Sequence, residues 1–369
     1  MEKILGDLII MKKLYNIELF RFIFSLLIAY GHMMLFYLLP VNREAFSWCN
    51  MGQTWDATLT IVDCFFIITG FFMFNTLTNK KDMTTLQFAK GKIIRLWPVY
   101  FFSFVAFFVL SKFKVCSFNL YDDILNLLFL QCSGHKLSLG DSGFSWYISS
   151  LFWVSLFYFY ILRNFSQKST RLTIALITFF SYILLIHKFN GGVGAHISPP
   201  ILDLFIPGIL RALGGIGLGY FVGEIFNSAK NIEYKDLKIA KGIFISTLEL
   251  ILTMFLLYNY IIKKVYNNAL LYILAFALLL LLLALQLGKY SQVLNWKGFE
   301  YIGRYSYSIY IMHQPVFLTL KKYLWTKNFV INNPIKSVLI GIFTCLIVGI
   351  LTYHLIEQPG RKLLKYVLK

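Results

Sequence analysis

Ten stretches of predominantly apolar residues, most near 20 residues long, run through this chain from Ile17 to Ile356. A helix of about 20 residues crosses a hydrocarbon core roughly 30 Å thick. Inside a bilayer every backbone N–H and C=O must find its partner within the protein, so only helices and closed barrels can span it. The runs are continuously apolar rather than alternating, which selects helices. The chain is therefore expected to be all-α and polytopic, one transmembrane domain over 1–369 with about ten spans. These are Ile17–Leu39, Asp56–Leu77, Ile93–Leu110, Trp146–Leu162, Leu172–Phe189, Leu204–Phe226, Gly242–Ile262, Ala269–Gly288, Ser306–Leu324 and Ser337–Ile356. A further apolar piece, Asp123–Gln131, is too short to cross and is expected to lie at the interface or re-enter. Hydrophobic residues make up 58% of the chain and charged ones 14%, which leaves no room for a sizeable soluble domain.

The net charge is +18. In a soluble protein this would suggest nucleic acid, but here the cations sit in short loops, where they orient the protein and attract anionic lipid. With both termini inside, inner segments hold 22 Lys and Arg and outer loops 11. The bias places both termini in the cytoplasm of a multi-pass cell (inner) membrane protein. None of the five cysteines forms a CxxC pair or a His/Cys spacing, so no metal site or disulfide framework is expected. Met1–Lys13 carries no small-residue cleavage site, and the first span can do the targeting. Gly214, Gly215, Gly217, Gly219 and Gly223 in the sixth span read as a close helix contact.

An ionisable group inside a bilayer is costly, which makes each one a functional candidate. They are Arg21, His32, Asp63, Arg211, Glu249 and His313. Arg21 and His32 are eleven residues apart, on one face of the first span and separated by roughly 16 Å along its axis. Asp63 falls at the depth of His32 and can orient it as a general base. Arg211 falls at a similar depth, so Asp63 can instead pair with Arg211 and leave His32 a packing residue. Near the cytoplasmic edge, Arg21, Lys92 and Arg95 converge and can hold phosphates. Phosphates at one end and a base deeper in fit an extended acyl carrier with the shape of coenzyme A.

At this point the chain resembles the acyltransferase-3 family of membrane O-acyltransferases. Glu18-Leu19-Phe20-Arg21, ten residues and His32 are similar to its Arg/Lys–ten–His motif. Val62-Asp63-Cys64-Phe65-Phe66-Ile67-Ile68-Thr69-Gly70-Phe71 resembles its V-D-x-F-F-x-x-S-G-F stretch. Lys92-Ile93-Ile94-Arg95-Leu96-Trp97-Pro98-Val99-Tyr100 resembles R-x-x-R-x-x-P-x-Y, with Lys92 in place of the first Arg. Trp146-Tyr147-Ile148-Ser149, the run from Gly303 to His313, and His354-Leu355-Ile356-Glu357-Gln358-Pro359 are similar to three further motifs. The resemblance covers nearly the whole chain, without the SGNH-type domain some members carry.

The resemblance implies transfer of an acyl group, most simply acetyl from cytoplasmic acetyl-CoA, to a hydroxyl of a cell-surface carbohydrate. The acceptor would be an O-antigen, capsule, exopolysaccharide or lipid-linked precursor. In that reading His32 is the base and Asp63 orients it. Arg21, Lys92 and Arg95 contact the donor, while Tyr310, His313, Arg211 and Trp146 line the site. Expected partners are the acyl-CoA donor, the carbohydrate acceptor and membrane lipids, with no nucleic acid and no metal. A covalent relay through Cys64 stays open. The rivals are a transporter or flippase for lipid-linked saccharides, which should show paired repeats that are absent here, and a polysaccharide polymerase, which should carry a large basic outer loop.

Overall fold

The computed structural model describes residues 13–48, 51–80, 82–117, 119–130, 132, 145–194, 206–229, 239–261 and 268–368. The N-terminal 1–12 stretch and residues 133–144 of the 111–145 loop lie outside these residues. Among the described residues the chain is helical, with no strand. The helices are α1 (Tyr15–Met33), α2 (Met51–Asn79), α3 (Thr85–Lys112), α4 (Leu120–Leu127), α5 (Trp146–Asn164), α6 (Gln167–Lys188), α7 (Pro207–Ala229) and α8 (Ile239–Ile261). They continue with α9 (Ala269–Leu285), α10 (Lys289–Val293), α11 (Phe299–Gly303), α12 (Ser306–Tyr323), α13 (Lys327–Asn332), α14 (Pro334–Thr352) and α15 (Gln358–Val367). A helix occupies each of the ten expected spans. Seven are long and apolar enough to cross a membrane by length and composition alone, and α9 is a shorter apolar helix. The protein is an all-α polytopic membrane protein.

Local sequence sets several helix ends. Thr84 and Gln87 form a reciprocal capping box that starts α3. Ser166 caps α6 and Pro334 opens α14. A π turn over Met34–Leu38 extends α1 just beyond His32. A second, Tyr353–Glu357, joins α14 to α15. There Pro359 has no N–H to give the Leu355 carbonyl, so the regular ladder cannot continue.

Lipid-facing and buried sides separate cleanly. On α14, Leu339, Phe343, Ile347 and Ile350 recur on one face and are exposed, as expected where lipid is the solvent. The closest contact in the bundle is α2 against α7. A Cβ on Gly70 would run into the Ile216 carbonyl, and one on Gly219 into the Ile67 carbonyl. Glycine at both positions lets the backbones touch, the small-residue mode of membrane helix packing.

Two expectations from sequence resolve structurally. The short apolar piece forms α4, started by Asn119, whose side chain accepts from the Tyr121 and Asp122 amides. Ser149 on α5 then ties it down: its hydroxyl donates to Phe129 O at 2.6 Å and accepts from Cys132 N at 3.2 Å. Glu249 has a packing role, since its Oε2 accepts from Ser291 N at 3.1 Å near the start of α10, while Ser246 Oγ accepts from Lys289 N at 2.7 Å.

Candidate active site

A cavity of about 470 Å³ opens between α1, α2, α3, α5 and α12. Its mouth carries Glu18, Arg21, Gln87, Lys92 and Arg95. Its interior is lined by Phe65, Thr69, Phe72, Tyr147, Tyr307 and Tyr310, among others. Arg21 and Glu18 pair within one turn of α1, with Nη1 2.9 and 3.0 Å from the two carboxylate oxygens. Lys92 lies over the Phe88 ring, 5.2 Å from its centroid, and Phe88 stacks on Phe159. The charged neighbours of Arg95 are Arg21, Arg361, Glu18 and Glu357. Counting Lys92, four cations face two carboxylates in that cluster. The surplus charge at a half-apolar mouth suits an anionic ligand. Arg21, Lys92 and Arg95, chosen from sequence, are thus brought together.

The terminal motif supports this end of the site from behind. Ser308 donates to Glu357 Oε2 at 2.5 Å, and Arg361 holds the other oxygen at 2.5 Å. The Tyr307 hydroxyl donates to the Leu96 carbonyl at 2.6 Å, two residues before Pro98, which α3 carries inside its continuous run. Arg361 was not singled out from sequence, although its position four residues after Glu357 is the spacing of a helical ion pair. Tyr147 was also passed over beside Trp146.

The inner end of the cavity is aromatic. Tyr147 and Tyr310 meet edge to face at 5.5 Å, and Thr69 lies beside the Tyr147 hydroxyl. On the far side of Tyr310 is a small void of about 20 Å³, lined by Ser103, Phe107, Ser145, Tyr310, Ile311, His313 and Gln314. His313 reaches His32: His32 Nδ1 and His313 Nε2 are 2.9 Å apart, with the rings stacked. His313 Nδ1 lies 2.5 Å from the Tyr310 carbonyl oxygen. That carbonyl can only accept, so Nδ1 of His313 carries the hydrogen. In the neutral ring Nε2 then holds the lone pair and accepts from His32 Nδ1–H. His32 Nε2 is left as the lone-pair nitrogen of its ring, a tautomer assigned from the bonding pattern.

Of the two partners open to Asp63 from sequence, His32 and Arg211, its carboxylate takes Arg211. Nη2 of Arg211 lies 2.8 Å from Oδ2 and Nε 3.2 Å from the same atom, with both side chains fully buried. Arg211 also donates to the carbonyls of Leu59 and, at 3.2 Å, Gly194. Its guanidinium stands over the Trp146 ring, 4.9 Å from the centroid. The physical reason is that a guanidinium fully removed from water needs a carboxylate more than a neutral imidazole does. Arg211 and Trp146 therefore belong to this clamp and not to the cavity wall, where Tyr147 stands instead. Of the other expected lining residues, Tyr310 faces both cavity and void, and His313 faces the void. Cys64 is buried and does not line the cavity. Among the described residues no cluster of His, Cys, Asp and Glu could hold a metal.

No curated protein and no solved structure gives a significant match to the chain. Residues 14–354 match the acyltransferase-3 family, described as an acyltransferase domain. The match spans the helices that carry Arg21, His32, Lys92, Arg95, Tyr310 and His313, and the chain belongs to the acyltransferase-3 family of membrane acyltransferases.

Proposed function

We propose that the protein moves an acetyl group from cytoplasmic acetyl-CoA to a hydroxyl of a cell-surface carbohydrate or its lipid-linked precursor. The observation that carries this reading is the continuity of the site. A cavity with a cationic mouth ends on Tyr310, and Tyr310 abuts the void beside His313, which is hydrogen-bonded to His32. Arg21, Lys92 and Arg95 bind the phosphates of the donor. The roughly 16 Å rise from Arg21 to His32 along α1 suits the long arm that carries the thioester. The Lys and Arg bias puts the cavity mouth and both termini on the cytoplasmic side of the inner membrane.

His32 Nε2 acts as general base. It takes the proton of the acceptor hydroxyl as the oxygen attacks the thioester carbonyl carbon. The new C–O bond forms and the C–S bond breaks. The departing coenzyme A thiolate recovers the proton from the His32 imidazolium, so ester and free thiol are the products. His313 is the positioning residue: held by the Tyr310 carbonyl, it fixes the tautomer and direction of His32. Asp63 acts one layer away by neutralising Arg211.

Thiol release from acetyl-CoA by the purified protein in proteoliposomes tests the reading. His32→Ala should lose 10²–10⁴-fold in rate, the usual range for a positioned base, with coenzyme A binding retained. Retention of more than about a tenth of the rate would remove His32 from the chemistry. A wild-type protein that binds the donor yet releases no thiol would refute transfer itself.

A further inference from the structure

Gln314 follows His313 on α12 and lines the void behind Tyr310. It is buried, 6% exposed, yet its amide makes no hydrogen bond among the described residues. Nearby polar side chains are engaged: Ser103 donates to the Tyr100 carbonyl at 2.8 Å, and Tyr100 OH donates to Asn126 O at 3.0 Å. A primary amide at membrane depth is costly unless a polar group meets it. Gln314 and Ser103 line the same void. The Ser103 hydroxyl still has lone pairs to accept a bond.

The void measures about 20 Å³, and roughly 10–15 Å³ of such volume holds one water. It can accommodate a single hydroxyl but not a ring. Its walls include His313, which is hydrogen-bonded to His32, so a hydroxyl held there lies one side chain away from the proposed base. Among the described residues Phe107, Ile311, Tyr310 and Ser145 also line the void, a mainly apolar wall that disfavours a charged group and suits a neutral hydroxyl.

We infer that Gln314, with Ser103, binds a second hydroxyl of the acceptor beside the reacting one, so that the site selects polyhydroxylated acceptors over simple alcohols. This rests on the transferase reading above. A bound hydroxyl can donate to the Gln314 carbonyl or Ser103 oxygen and accept from the Gln314 NH₂. A monohydric alcohol of similar size leaves all of these unsatisfied. The selectivity arises because one hydrogen bond lost to a buried partner is worth about tenfold or somewhat more.

The test uses acetyl-CoA as donor and two soluble probes, glycerol and ethanol, with ester formation and thiol release followed together. In the wild-type protein glycerol should exceed ethanol in kcat/KM. Gln314→Leu keeps the bulk but removes the polar groups and should lower the glycerol-to-ethanol ratio about tenfold, chiefly through the KM for glycerol. Ser103→Ala should lower the same ratio by a smaller factor and serves if the Leu variant fails to fold. A ratio unchanged in both variants, or a wild type with no preference for glycerol, would overturn the polyol subsite while leaving transfer intact. Absence of wild-type thiol release with any probe would overturn the transferase reading, and the subsite with it.

Discussion

Asp63→Asn separates two accounts of the same residue. If Asp63 orients His32, the variant should fold normally and lose activity. The structure gives it a different partner, Arg211, with both side chains fully buried and Nη2 2.8 Å from Oδ2. Asn keeps the shape and one acceptor oxygen but leaves the guanidinium charge uncompensated. Ordinary interhelical hydrogen bonds in membranes average about 0.6 kcal/mol, and the carbonyls of Leu59 and Gly194 still accept from Arg211. Those small terms do not decide the outcome, because an orphaned buried charge costs about 3–5 kcal/mol. At about 2–4 °C per kcal/mol for mid-sized domains, the melting temperature in detergent should fall by about 10 °C. The Arg211→Met single variant should be destabilised as well, because it leaves a buried carboxylate. Asp63→Leu with Arg211→Met together should recover most of the loss, since replacing a whole buried pair by apolar groups is often neutral. Thermal unfolding of the four proteins, read by tryptophan fluorescence, checks this. An Asp63→Asn protein with wild-type stability and no thiol release would refute the clamp and restore Asp63 to the catalytic group.

Further outcomes follow from the same geometry. Arg95→Ala should raise the Kd for coenzyme A by roughly ten- to a hundredfold, the value of one charge-assisted contact, whereas Lys92→Arg should bind as well as wild type; isothermal titration in detergent distinguishes them. Gly219→Ala should destabilise by about 1–3 kcal/mol through overpacking against the Ile67 carbonyl. Gly242→Ala, where nothing lies within 4 Å of the added methyl, should not lower the melting temperature. Single cysteines at Lys80 and Lys327 should label from opposite sides of the membrane, and labelling of both from outside would invalidate the proposed orientation.

The spans were legible because lipid leaves few alternatives: a run of about 20 apolar residues has to be a helix. Depth was legible for Asp63 and Arg211, which the rise per residue places near one level, but less so for His32, whose neighbour Gly31 packs against Thr58. Azimuth was not, and azimuth decides who pairs with whom. The clue lay in the glycines. Gly215 packs on Phe66 and, further along, Gly223 on Phe74, so α2 and α7 run parallel in contact. Asp63 lies seven residues before Gly70 and Arg211 eight before Gly219, which returns both charges to the same level of the same seam. Reading the glycines and the charges together would have favoured Arg211 over His32 as the partner of Asp63. His313 was placed as a residue that lines the site or relays protons, but not as a partner of His32, because an imidazole–imidazole contact between α1 and α12 has no spacing rule to announce it. Gln314 carried no signal beyond being an amide in an apolar helix.

The pairing of Asp63 with Arg211 also makes physical sense of where charge sits in the site. A carboxylate beside His32 would put a permanent anion at membrane depth, at a cost of several kcal/mol unless it were itself neutralised. The protein keeps Asp63 matched to Arg211 and orients the histidines with a backbone carbonyl, which adds direction without adding charge. Fixed surplus charge is confined to the mouth, near Arg21, Lys92 and Arg95, where water and the donor phosphates can share it. Charge at the His32 end then arises only while a proton is in transit. The hydrogen bond from His32 Nδ1 to His313 therefore strengthens when the imidazolium forms, which favours the transition state over the resting enzyme. His313→Ala should accordingly lower kcat with little effect on the KM for acetyl-CoA. An equal loss in donor binding would instead make His313 part of the donor cavity.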